Sequence, residues 1–217
     1  MSLLVTVILN DGIIMASDSR TTYTYKNKDT VKYVDTTNKT FLFDKTIGIS
    51  HCRNAAVNGK SIEEHLKDFQ KLYKGRSITR LPNLLRDYFL KLNPDCNVAF
   101  FIAGYENYKS HAYRIFTQAP IERLTTSKPC SYWEGERDVP SRLFSTVYIR
   151  NGSNYKIHSS YELAIDDFSI PDGIDFATFL IKTSEEAMKF QRTNKTVGGP
   201  IDILVIKPYD SYWYKRK

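Results

Sequence analysis

The sequence predicts an α+β fold in which two β-sheets pack face to face with helices outside. Three observations carry this expectation. Apolar runs separated by tight-turn signals open the chain and recur at 41–50, and a further apolar run stands near its end. Two successive stretches with helical period follow the first strands, and a third stands near the C-terminus. The resulting order is strands, two helices, strands, helix, strand, which suits two stacked sheets.

Leu3 to Leu9 reads as a strand, Asn10-Asp11-Gly12 as a tight turn and Ile13 to Ser17 as the return strand. Phe41 to Phe43 and Thr46 to Ser50 form a second hairpin around Asp44-Lys45. Ser61 and Glu64 fit a capping box, with Leu66, Phe69 and Leu72 or Tyr73 as the apolar face behind it. Gly59 either marks the start of this helix or lies inside a longer one beginning near Arg53. Leu81, Leu84, Leu85, Tyr88, Phe89 and Leu92 follow the i, i+3, i+4, i+7 rule; Pro82 suits the first turn and Asn93-Pro94-Asp95 ends the helix. Strands return at Val98 to Ala103, His111 to Phe116 and Ile121 to Thr125. Residues 127 to 173 carry no clear period. The stretch from Arg142 to Asp172, with Asn151-Gly152-Ser153-Asn154, reads as an insertion shaping the pocket or a subunit contact. The third helix sets Phe176, Phe179, Leu180, Thr183, Ala187 and Phe190 on one face, and Ile201 to Ile206 is the last clear strand.

The 217 residues suffice for a single domain over 1–217, with no linker, repeat or low-complexity segment. Hydrophobic residues make up 41%, no run could span a bilayer, and no basic segment with a small-residue cleavage site opens the chain. The expectation is a cytoplasmic protein with no membrane contact. Cys52, Cys96 and Cys130 are odd in number and lack metal-ligand spacing, and His51, His65, His111 and His158 are scattered. Reduced thiols, no metal and no cofactor are therefore expected. The net charge of +7 is spread along the chain, with Lys215-Arg216-Lys217 as its one dense cluster. Without an RNA-binding aromatic motif or a helix-turn-helix signature, a solvated basic surface is favoured over a nucleic-acid interface, and acidic peptides remain as a substrate class.

The run Asp11-Gly12-Ile13-Ile14-Met15-Ala16-Ser17-Asp18-Ser19-Arg20 resembles the start of proteasome β subunits and their bacterial relatives, where a return strand ends in Asp-Ser-Arg. Lys39-Thr40-Phe41 with Ile47-Gly48-Ile49-Ser50 resembles that family's lysine strand and hairpin. Ala103-Gly104-Tyr105-Glu106 resembles its Gly-Tyr-acid turn, and Thr196 to Asp202 with Leu204-Val205-Ile206 its closing strand. The small bacterial proteasome-like proteins match better than the eukaryotic subunits. The resemblance implies a four-layer αββα sandwich and an N-terminal-nucleophile (Ntn) hydrolase.

It also implies site residues one by one. Counting back from Asp18 without a gap puts Ser2 at the nucleophile position, exposed by removal of Met1. Its hydroxyl would attack a carbonyl and the free α-amine, of unperturbed pKa about 7.7–8.0, would take the proton. Asp18 would orient and balance Lys39, whose ammonium would lower the hydroxyl's pKa. Cys52, where the family usually has glycine, and Arg53 would supply the oxyanion and substrate-binding surface. Cys52 paired with His51 is a weaker nucleophile, because neighbours on a strand point to opposite faces. Two positions depart from the family. Glu134, in Trp133-Glu134-Gly135, replaces a catalytic serine and would bring a carboxylate of its own; Thr193-Asn194 replaces an Arg-Asp pair, so that Asn194 stands for a supporting aspartate.

The function expected is thus a threonine/serine-type peptidase or amide hydrolase acting on peptides or unfolded protein. It would assemble as a homo-oligomer, a ring or a dimer, with room for an ATPase partner. The 15 Tyr and 12 Phe would serve as interface anchors or as core. The alternative is a non-catalytic structural homologue of proteasome subunits, which the changes at Glu134 and Asn194 favour; an amidase for a non-peptide substrate is a third reading.

Overall fold

Strand β1 (Leu3–Ile8) and β2 (Ile13–Ser17) form the expected opening hairpin, paired antiparallel from Leu4↔Ser17 to Ile8↔Ile13. The computed structural model describes residues 2–24, 31–158 and 163–217. Met1, whose removal the resemblance calls for, lies outside them, as do four residues of the expected insertion at 159–162.

The chain continues through β3 (Thr21–Thr24) and β4 (Val31–Val34), then the second expected hairpin, β5 (Thr40–Asp44) and β6 (Ile47–Arg53). A two-residue ladder, β7 (Ala56–Val57) and β8 (Lys60–Ser61), turns at Asn58-Gly59, both with positive φ. Such a turn is what Asn-Gly favours, and it rules out a helix running from Arg53. Helix α1 (Ile62–Tyr73) starts where the capping box predicts: Ser61 Oγ accepts from Glu64 N–H, and the Glu64 carboxylate accepts from Ser61 N–H. Tyr73 packs its ring 4.7 Å from Phe69, whereas Leu72 faces outward. Helix α2 (Leu81–Leu92) follows, with Pro82 in its first turn.

Then come β9 (Val98–Glu106), β10 (Lys109–Phe116), β11 (Glu122–Leu124) and β12 (Cys130–Gly135). The region with no legible period holds β12, the short helix α3 (Asp138–Phe144) and an exposed hairpin, β13 (Val147–Asn151) and β14 (Asn154–His158). Helix α4 (Ile170–Lys189) is capped by Ser169 with Asp172, and β15 (Asp202–Ile206) and β16 (Ser211–Lys215) close the chain. The face predicted for α4 is corrected. Ile170, Gly173, Ile174, Ala177, Leu180, Ile181, Ser184 and Met188 are buried with Phe176, while Phe179 and Phe190 are exposed. Gly173 lets the helix close on the sheet, since a Cβ there would meet Ile14 Cδ1 at 2.8 Å.

Two five-stranded sheets result, ordered β12-β1-β2-β15-β16 and β11-β10-β9-β6-β5. Alternation sorts their side chains into three apolar clusters. Leu3, Val5 and Val7 of β1 pack with Ile174, Ala177 and Leu180 of α4. Ile49 of β6 and Phe100 and Ile102 of β9 pack with Leu66 and Phe69 of α1 and Leu85 and Phe89 of α2. The third cluster draws on both sheets: Leu4, Ile8 and Met15 meet Cys52, Ala99, Phe101 and Ala103. At about 25 cal/mol per Å², these contacts are the main favourable contribution to folding. No helix among the described residues is long and apolar enough to cross a membrane.

The Gly-Tyr-acid turn has a steric reason. At Gly104, opposite Ile47, a Cβ would stand 2.1 Å from the Thr46 carbonyl oxygen, which accepts from Tyr105 N–H at 2.9 Å. Gly104→Ala is expected to lower stability by about 1–3 kcal/mol. Urea unfolding would show a lower midpoint at an unchanged slope; an unchanged midpoint would mean the hairpin end yields without cost.

Candidate active site

Strand β2 ends at Ser17, and the next residue, Asp18, is fully buried. Its carboxylate is held by four donors. Oδ1 accepts from Leu3 N–H at 3.0 Å and from Lys39 Nζ at 2.9 Å; Oδ2 accepts from the N–H groups of Arg20 and Gly198, each at 3.1 Å. Asp18 therefore joins the start of β1, the end of β2, the residue before β5 and the loop before β15.

Lys39 is 3% exposed, and its ammonium also donates to the Arg20 carbonyl at 2.5 Å. Burial lowers its pKa, and Asp18 opposes that shift through charge and hydrogen bond. The register that delivers Lys39 here is fixed on both sides: its carbonyl accepts from His51 N–H, and Thr40 Oγ1 donates to Ser17 Oγ at 2.8 Å.

Ser2 and Lys39 line one cleft of about 90 Å³ with Arg20, Thr21, Thr22, Thr37, His51, Cys52, Arg53, Asn54 and Ala55. Ser2 is seated by the end of β12. Its carbonyl accepts from Glu136 N–H at 2.8 Å, and Gly135, at φ +95°, leaves no room for a side chain, because a Cβ would stand 1.8 Å from that oxygen.

Cys52 and His51 lack the features of a nucleophile and base. Burial pushes the Cys52 thiol up to about 12, with Glu134 adding to the shift, so it is a neutral thiol in the intersheet cluster. Burial pushes His51 down to about 4; one ring nitrogen donates to the Asn38 carbonyl at 3.2 Å and the other has no partner among the described residues.

Glu134 is 2% exposed and faces three guanidiniums: Arg53 at 3.6 Å, Arg114 at 3.7 Å and Arg137 at 3.8 Å. Its Oε2 has no hydrogen-bond partner among the described residues. Arg53 has φ +79°, stacks 4.6 Å from the Phe116 ring and donates to Asn97 Oδ1 at 3.1 Å. The structure thus brings Ser2, Asp18, Lys39, Cys52, Arg53 and Glu134 into one neighbourhood. It leaves Asn194 exposed in the loop after α4, with no side-chain hydrogen bond among the described residues. Sequence reasoning missed Arg114, Arg137, the seat made by Gly135 and Glu136, and the Gly198 amide on Asp18. It also missed Thr196, whose hydroxyl donates to Glu136 at 2.7 Å. Thr196 and Gly198, within the segment matched to the closing strand, and Gly135, within Trp133-Glu134-Gly135, carried a signal.

No group of three or more His, Cys, Asp or Glu among the described residues is arranged to hold a metal. These elements define a mixed α/β protein whose fold is shared with solved Anbu structures. Among solved structures it is similar to Anbu from Hyphomicrobium sp. strain MC1 (TM-score 0.70, 15% identity, covering 99% of this chain and 86% of that one). It is also similar to an Anbu (Gly-1) mutant from the same source (0.64, 18%, 98% and 85%). Anbu from Yersinia bercovieri, described as an ancestral β-subunit, matches comparably (0.65, 16%, 99% and 88%). No family model and no curated protein matches the chain.

His51 gives a pH test. Its folded pKa of about 4 lies below the unfolded value of 6.5. Between these values the unfolded chain binds a proton that the folded chain does not, so stability is lost as pH falls through that window, by about 3 kcal/mol in all. Urea unfolding at pH 7.5 and 4.5 should show the native chain losing about 2–3 kcal/mol more than His51→Gln. Equal losses would mean that His51 is protonated in the folded state.

Proposed function

We propose that this chain is a serine-type N-terminal-nucleophile hydrolase acting on peptide amide bonds, a single domain over 1–217 built as a four-layer αββα sandwich. The observation that carries the reading is the Lys39 ammonium, locked on Asp18 and lining the same cleft as Ser2. The three apolar clusters, one under each helical face and one between the sheets, support the layer order.

Loss of Met1 would free the Ser2 amine. Ser2 Oγ then attacks the substrate carbonyl carbon and passes its proton to that amine, directly or through water. Lys39 favours the developing alkoxide by charge and disfavours protonation of the amine. The resulting oxyanion needs a backbone donor. His51 N–H points to Lys39 across the β5 side, and two residues on, by strand alternation, Arg53 N–H points the same way beyond the last β5–β6 pair, Thr40↔Ser50. The amine returns the proton to the leaving nitrogen, and water hydrolyses the ester to restore Ser2. Assembly into a homo-oligomer in the cytoplasm, with an ATPase feeding unfolded chains, belongs to the same reading and rests on the resemblance alone.

A non-catalytic homologue is the second reading. It is favoured by Glu134, which stands in the place of a serine and is committed to arginines, and by the exposed Asn194.

Incubation with a peptide epoxyketone followed by intact-mass analysis separates the two. The hydrolase should start at Ser2 and gain one adduct, which Ser2→Ala abolishes. Lys39→Met should slow labelling at least on the order of 100-fold, as loss of one electrostatic stabiliser does, with circular dichroism checking that the fold survives loss of the buried pair. A chain retaining Met1 and forming no adduct would establish the second reading.

A further inference from the structure

We propose that the Ser2 cleft selects substrates with an acidic side chain beside the reacting carbonyl, and that Arg53 reads that acid. The selection concerns the same site and, for turnover, rests on the proposed hydrolase; as a binding property it does not need it.

Among the described residues, no Asp or Glu lines the cleft, whereas Arg20, Lys39 and Arg53 do. Two of these cations are already matched. Arg20 is held bidentate by Asp35, both contacts at 2.8 Å, and Lys39 is held by Asp18. Arg53 differs. Its nearest carboxylate oxygen, on Glu134, is 3.6 Å away, beyond hydrogen-bond length. That carboxylate is shared with Arg114 and Arg137, and Arg114 adds Glu122 at 3.2 Å. Three guanidiniums against two carboxylates leave the cluster with one surplus positive charge, and Arg53 is its member in the cleft wall, about one-third exposed.

The Arg53 guanidinium is also pre-set. Phe116 covers one side at 4.6 Å and Asn97 takes one N–H. A planar fork held in this way suits a carboxylate, and holding it beforehand reduces the ordering cost of binding. The lining also carries polar groups: Thr21 and Thr37 pair their hydroxyls at 2.7 Å, and the buried Thr22 hydroxyl has no partner among the described residues. A cleft of about 90 Å³ takes one short side chain. A leucine there would cover Arg53 without pairing it, and a lysine would meet like charge. The net charge of +7 draws acidic chains toward the protein before they dock.

The test uses three N-acetyl tripeptide epoxyketones that differ only in the side chain at the reactive carbonyl: glutamate, leucine or lysine. The matching non-reactive peptide amides are titrated by calorimetry against Ser2→Ala protein. The glutamate probe should label Ser2 about 10- to 100-fold faster than the leucine probe, and its amide should bind tighter by a similar factor, as a charged hydrogen bond implies. Arg53→Met should bring both ratios close to one, and Arg53→Lys should retain part of each. Ratios near one in the native chain, or ratios indifferent to Arg53→Met, overturn the proposal. Labelling without preference would overturn the selectivity and leave the hydrolase standing. Arg53-dependent binding of the glutamate amide without labelling would uphold the cleft's selectivity and remove the nucleophile.

Discussion

The buried ion pair between Asp18 and Lys39 is the constraint on which the cleft depends. Taking a carboxylate and an ammonium out of water costs several kcal/mol each, and one contact at 2.9 Å does not repay that alone. The remainder comes from backbone groups: three N–H donors complete Asp18, and a carbonyl takes a further Lys39 proton. Those backbone groups belong to three separate segments of the chain, and Lys39 brings in a fourth. Satisfying one carboxylate thus fixes the start of β1, the end of β2, the approach to β5 and the loop before β15, and Ser2 is held through Leu3 beside it. Burial still depresses the Lys39 pKa, so the surroundings bear part of the charge's cost and the ammonium holds its proton less tightly than a surface lysine.

Much of the frame was legible because local chemistry agreed with tertiary packing. Asn10-Asp11-Gly12, the Ser61–Glu64 box and the α2 stripe each name their own structure. Asp18 and Lys39 were legible only through resemblance, since neither spacing nor charge brings residues 21 apart into contact. The α4 face misled for a different reason. Weighting Phe179 and Phe190 turned the helix, but its orientation is set by Gly173, Ala177 and Ser184, small residues that permit close approach to the sheet. Hydrophobicity does not register that role; sterics does. Strand β12 was hidden because an edge strand carrying a buried glutamate breaks the alternation that would announce it.

The arginine cluster could not be read from the chain at all. Arg53 ends β6, Arg114 lies in β10 and Arg137 follows β12, and only the stacking of the two sheets brings them to one carboxylate. Three such charges together would repel without Glu134, and a carboxylate at 2% exposure without those cations would carry an uncompensated desolvation cost. Each side of the cluster is the condition for the other.

That mutual condition changes the meaning of the departure at Glu134. Taken alone, a glutamate in the place of a catalytic serine subtracts from the machinery of a hydrolase. A serine there, however, offers no charge to hold a guanidinium, and Arg53 already sits at φ +79°, a left-handed conformation costing on the order of 1 kcal/mol for a side chain with a Cβ. The carboxylate and the Phe116 ring are the contacts that hold the guanidinium of Arg53, a residue of the cleft wall. A glutamate in the place of the serine and a cationic residue in the wall of the Ser2 cleft are therefore linked, in the proposed hydrolase, through one ion cluster. In the proposed hydrolase, the residue that departs most from the family pattern is the one that supports its substrate pocket.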